Sequence, residues 1–328
     1  MGKHNTKNKR FRKKKTNRKQ NKKYNQYHNK NNKTIKKMNC SPLIKKTPVK
    51  NSCLPEDILM TIKKEYNNNH PENPIKTNHF TEIWNELKNR LHCKKEDCWL
   101  KEIRDTKLRK EIDEMIFAPD QPPEWKNNPD EWLSNYDIID VLKQYQKTYR
   151  NFIFIEPTPI DFDDTPPDMY GSCVTKKLCE FELSHYIKKK ITKIGIIFNL
   201  DKHDESGSHW VSLFVDLDDK FIMYFDSAAD IIQPEIQKLV DRILKQGSQL
   251  GMDLKYEKDN TPFEHQMGNT ECGMYSLYFI ITLLTGKSGE GKLLKGYNEK
   301  KNYFNSSRIP DEYVFKHRNI YFNSGGEE

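Results

Sequence analysis

The stretch "HQMGNTECGMYSLYFI", residues 265 to 280, sets a thiol in front of a run of apolar and aromatic residues. A cysteine that opens a helix has its thiolate stabilised by free backbone N–H groups and the helix dipole. A neighbouring imidazolium adds to that stabilisation, so Cys272 reads as a nucleophile at neutral pH. Gln266, six residues earlier, carries an amide that can donate to the oxyanion formed when a thiolate attacks a carbonyl, alongside the main-chain N–H of Cys272. Gly268 and Gly273 permit a tight turn and close approach of a substrate. His209 and Asp226 supply a base and the acid that orients it. Taken singly, a core cysteine, a strand-end histidine and a Phe-Asp-Ser turn are ordinary; in the order His, Asp, Gln, Cys they specify nucleophilic catalysis.

Those residues need elements to bring them together. "KIGIIFNL" (193–200), "WVSLFVDL" (210–217) and "FIMYFDSA" (221–228) are short β-branched or aromatic runs and read as strands. With Asp218 and Asp219 in the turn, the last two form an antiparallel hairpin that sets 211 opposite 226 and 209 opposite 228. His209 and Asp226 then share one end of it. "PEIQKLVDRILKQG" reads as an amphipathic helix closed by Gly247, "MDLKYEK" as a further strand, and "GMYSLYFIITLLTG" as a buried helix ending at Gly286. Upstream, Ser134 caps a helix with Asp137 three residues on. Residues 54–66, 80–91 and 99–117 have helical apolar spacing, and the Pro-rich 118–125 is a boundary. The fold class is α+β.

Charge divides the chain. Residues 1–50 hold 19 Lys and Arg and no acid, leaving 37 basic against 47 acidic residues in the rest. The expected organisation is a disordered basic tail (1–50), a helical accessory region (51–124) and a catalytic domain (125–328). The tail suits electrostatic contact with nucleic acid, and equally a nuclear-import or solubilising role. Seven cysteines without a secretory signal argue against a disulfide framework and for a reducing compartment. His92, Cys93 and Cys98, or Cys173 and Cys179, fit no strong zinc spacing, so neither metal nor cofactor is expected. No apolar run of about 18 residues suggests a membrane span.

"GSHWVSLFVDL", "MYFDSAAD" and "QMGNTECGMYSLYF" resemble the His-Trp, Asp and Gln-x5-Cys-Gly boxes of cysteine proteases that include the SUMO-deconjugating (Ulp/SENP) enzymes and the adenovirus protease. "EWLSNYDIIDVLKQY" resembles the Trp-Leu box opening their catalytic domain. "RIPDEYVFKHRNIYF" is similar to the large-DNA-virus branch, which includes the African swine fever virus and giant-virus thiol proteases. The resemblance covers about residues 125–322. It implies a papain-like, adenain-like core with His209 as general base, Asp226 as orienting acid, Cys272 as nucleophile and Gln266 as oxyanion donor. Trp132 and Trp210, with Gly273, match residues that enclose a narrow channel for the substrate backbone, though Trp132 also reads as a core anchor. Two flat indoles flank a main chain only where side chains are missing, so a Gly-Gly-type site before the cut is implied.

The expected partner is a polypeptide, with cleavage of virion precursor polyproteins in virion and host cytoplasm (viral factory). Ubiquitin-like deconjugation, Cys-dependent acyl transfer and an inactive basic virion protein are the alternatives. The terminal "SGGEE" offers Gly325-Gly326 for self-trimming.

Overall fold

The computed structural model describes residues 34–258 and 262–325. The tail over residues 1–33 and the cut site at Gly325-Gly326 therefore lie outside or at the limit of the described residues. The expected disordered tail does not extend to residue 50. Met38 and Ser41 are buried, and Cys40 makes a β-bridge with Phe117. Lysine-rich composition hid a few apolar anchors spaced closely enough to fix the backbone.

The described residues form two compact units, one of residues 34–38 and 46–113 and a larger one of residues 39–45 and 114–325. In the first, helices α1 (Glu56–Asn69) and α2 (Phe80–Arg90) bury Ile58, Leu59, Ile62, Ile83 and Leu87, joined by Trp99 from a 3-10 turn at Asp97–Glu102. The helical run expected over 99–117 is thus broken, and α3 (Thr106–Ile116) starts afresh where Asp105 accepts the N–H groups of Lys107 and Leu108. The Pro-rich boundary also moves earlier. Gln144 donates to the carbonyls of Glu114 and Phe117 and ties that segment to the larger unit.

In the larger unit, five strands lie in the order β1 (Phe152–Pro159), β2 (Lys193–Asn199), β3 (Trp210–Asp216), β4 (Phe221–Phe225) and β5 (Lys255–Tyr256). The outer pairs are parallel and the two inner pairs antiparallel. Helix α4 (Asn135–Thr148) starts with the Ser134–Asp137 capping box, which satisfies N–H groups that a helix start leaves unpaired. Helices α5 (Leu183–Lys188) and α6 (Pro234–Gln249) follow, then α7 (Cys272–Thr285) and α8 (Gly296–Asn305). Strand alternation divides the core. Val211, Leu213 and Val215 face α6, while Phe214 faces α7. Helix α7 is buried from Cys272 to Leu284. It can lie this close to the sheet because Gly195 has no Cβ; one there would stand 3.1 Å from Ile280.

Several expectations change. Helix α6 runs past Gly247, which packs against Leu254, and Gly251 at φ +72° follows its end. The strand expected over "MDLKYEK" shrinks to two residues. Strand β1 was not anticipated. Cysteine pairing was misjudged as well: Cys93–Cys98 and Cys173–Cys179 are disulfides, with Cα atoms 5.8 and 6.6 Å apart. Turns of five and six residues bring each pair within bridging distance. Cys272 is the free cysteine. Among the described residues, no group of three or more His, Cys, Asp or Glu could hold a metal, and no helix is long and apolar enough to cross a membrane.

Candidate active site

The hairpin register sets the geometry. Ser212 pairs with Phe225 and Asp216 with Phe221, so the ladder continues to 211 opposite 226. Asp226 thus leaves the end of β4 beside the start of β3, where His209 precedes Trp210. His209 Nε2 lies 2.7 Å from Asp226 Oδ1. The carboxylate is fully buried, its Oδ1 also accepts the Ala228 N–H at 2.9 Å, and the turn it makes there fixes its direction. Its other oxygen, Oδ2, has no partner among the described residues.

With Nε2 facing the acid, the remaining ring nitrogen is left for Cys272, the second side chain whose presence raises His209. Burial by itself would pull the imidazole down. Hydrogen bonds to Asp226 and Cys272, with the negative charge each carries when ionised, outweigh it and push His209 up to about 10. The arrangement therefore favours the imidazolium form of His209. Cys272 stands at the first position of α7, where no side chain caps the free N–H groups. The residue is only 1% exposed, whereas the His209 side chain is 20% exposed. A thiol so covered reacts only with a carbonyl delivered along a restricted path.

The strand end also builds the neighbouring loop. Ser227 accepts the N–H groups of His265 and Gln266 on its carbonyl at 2.8 and 2.9 Å, and its hydroxyl donates to Gln266 Oε1 at 2.8 Å. Gln266 Nε2 donates to the Gly268 carbonyl at 2.8 Å, which uses one of its two hydrogens. Asp311 holds the same loop by accepting the N–H groups of Met267 and Gly268. Ser227 and Asp311 went unassigned in the sequence. The Phe-Asp-Ser triplet was a signal for the first, but nothing local pointed to the second, which acts across 43 and 44 residues.

Trp210 and Trp132 are not equivalent. The Trp210 ring is buried, with Nε1 donating to the Leu133 carbonyl at 3.2 Å, while Trp132 is 37% exposed. Both line a cleft of about 960 Å³ together with Leu133, Asn199, His203 and Gly207. Gly273 faces the same region: a Cβ there would meet Leu133 Cβ at 3.1 Å and Trp210 Cδ1 at 3.3 Å. Any larger residue would push the cleft wall off the start of α7.

A mixed sheet with its free cysteine at the head of the central buried helix is the architecture of papain-like cysteine peptidases in their Ulp1-like form. Residues 184–306 match the Ulp1 protease family, C-terminal catalytic domain, so this part of the chain is similar to the cysteine-type peptidases of that family. A thiol protease of Acanthamoeba polyphaga mimivirus is 30% identical over 179 residues, 53% of this chain and 55% of that protein, so the match spans about half the relative's length. A cysteine protease of African swine fever virus is 27% identical over 252 residues, covering 72% of this chain and 85% of the relative. The crystal structure of an African swine fever virus protease superposes with a TM-score of 0.61 at 22% identity, covering 89% of this chain and 98% of that one. The shared fold thus extends beyond the family match to the N-terminal helices.

Proposed function

We propose that the protein is a cysteine endopeptidase of a large DNA virus that cuts after Gly-Gly-type sites in virion precursor polyproteins. The observation that carries this reading is His209, held by Asp226 at 2.7 Å and raised by both Asp226 and the Cys272 side chain, with Cys272 at the first turn of α7.

In the proposed mechanism the Cys272 thiolate attacks the scissile carbonyl and forms a C–S bond. The resulting oxyanion is met by the Cys272 N–H and by the hydrogen that Gln266 Nε2 does not give to Gly268. His209 then gives its proton to the leaving amine as the C–N bond breaks, leaving a thioester. The neutral imidazole takes a proton from water, the hydroxide attacks the thioester, and collapse returns thiolate and imidazolium. Asp226 keeps the ring in one orientation throughout.

Trp132 and Trp210 both line the cleft that a substrate main chain would enter, and a pair of small residues suits passage beside two indoles. A basic tail suits an enzyme packed beside a genome in virion or viral factory.

Digestion of a peptide library by wild type and Cys272→Ala tests this. Cleavage after Gly-Gly by wild type alone is the expected result. Cleavage elsewhere only would overturn the specificity, and isopeptide cleavage of a SUMO-type conjugate without polyprotein cleavage would move the assignment to deconjugation. Failure of Cys272 to alkylate with iodoacetamide at neutral pH would overturn the nucleophile.

A further inference from the structure

We infer that Arg318, on the C-terminal segment, is a positioning residue that holds the cleft wall against the start of the nucleophile's helix. This inference rests on the peptidase reading above for its kinetic consequence, but not for its geometry. Arg318 is 3% exposed, and its guanidinium is used on three sides. Nε and NH2 reach both carboxylate oxygens of Glu271, at 3.3 and 2.7 Å, and Glu271 is the residue immediately before Cys272. NH1 donates to the carbonyls of Pro129 and Glu131, at 2.8 and 2.9 Å. The plane lies over the Trp125 ring at 4.2 Å, and Trp125 Nε1 donates to the same Glu131 carbonyl at 3.0 Å.

One rigid cation therefore joins two pieces of chain that a substrate must find in register. Glu271 marks where α7 begins, and the Pro129–Leu133 segment carries Trp132 into the cleft. The fork geometry matters, because only a planar group with donors on all edges can meet a carboxylate and two carbonyls together. Lysine keeps the charge that Glu271 requires but cannot span both sides. The arrangement thus separates substrate alignment, which needs NH1, from thiol reactivity, which does not.

The experiment compares wild type, Arg318→Lys and Glu271→Gln in three measurements: cleavage of the preferred library peptide, alkylation of Cys272 by iodoacetamide, and amide hydrogen exchange across residues 130–133. For Arg318→Lys we expect KM to rise by about tenfold or more, kcat and the alkylation rate to stay within about threefold, and exchange in that segment to quicken. Glu271→Gln, which leaves the carbonyl ties in place, is expected to keep KM within about threefold. Unchanged KM and exchange in folded Arg318→Lys overturns the inference. So does a parallel fall in kcat and alkylation, which marks general damage, or an equal KM rise in Glu271→Gln. If Arg318→Lys does not fold, the paired Arg318→Met, Glu271→Gln variant, which removes both charges at once, is read by the same criteria. If wild type cleaves no peptide, the peptidase reading fails and the exchange of residues 130–133 alone decides the clamp.

Discussion

The β3–β4 hairpin ends in a buried carboxylate at each side, and the two ends behave differently. At the turn, Asp216 is fully buried and bonded by Lys193 Nζ at 2.5 Å and Lys300 Nζ at 2.9 Å, while its Oδ1 accepts the N–H groups of Asp218 and Asp219. At the open end, Asp226 is equally buried but is met by an imidazole. Desolvation pushes Asp216 up, yet its lysine partners outweigh it and hold the acid below the ordinary carboxylate range. Lysine is a fixed charge near neutral pH and makes an anchor. Histidine can bond through one ring nitrogen while the other carries or gives up a proton, so the same kind of pairing becomes a means of moving protons.

The largest effect that would break this comparison is His209→Ala. We expect kcat/KM for peptide cleavage per folded molecule to fall by about 10³-fold or more. Asp226→Asn follows, with a loss of about 10²–10⁴-fold, because burial then acts on the ring without the carboxylate that opposes it. Alkylation of Cys272 as a function of pH reads the same change, and an unaltered profile in Asp226→Asn would contradict the assignment. Lys300→Met at the other end should act on stability instead. It strands part of a buried charge, at a cost of about 3 kcal/mol in denaturant unfolding, while kcat/KM per folded molecule changes less than about twofold.

The smallest effect lies in the pH dependence of stability. His209 is raised to about 10 from an ordinary 6.5, so the folded state holds its proton more tightly than the unfolded chain. Its contribution is complete below about pH 6.5 and is lost as pH rises toward 10. Asp216 is lowered, so its contribution is present above the unfolded value and is lost on acidification. Melting temperatures across pH 3–10 should show Asp226→Asn flattening the alkaline limb and Lys300→Met flattening the acid one.

Much of this hairpin was legible. Alternation over "WVSLFVDL" gave the faces, and an acidic turn at 218–219 fixed the register that placed 209 and 226 at one end. Ser134 announced its helix through local capping, and Gly286 ended α7 at φ +63°. What escaped depends on partners far away in the chain. Strand β1 is defined by parallel pairing with β2, with Phe152 standing beside Lys193, 41 residues further on. Arg318 meets Glu271 across 47 residues and Glu131 across 187, so no spacing rule links them. Trp210 read as a channel residue and lines the cleft, but nothing in the sequence linked its indole to the Leu133 carbonyl.

The ties that Arg318, Trp125 and Trp210 make to the Pro129–Leu133 segment end on main-chain oxygens. These long-range grips hold the path of the chain and ignore the identity of what it displays. Replacing the displayed group at 132 leaves them intact, so the mouth of the cleft can be retailored to new cut sites while the sulfur and its ring stay where they are.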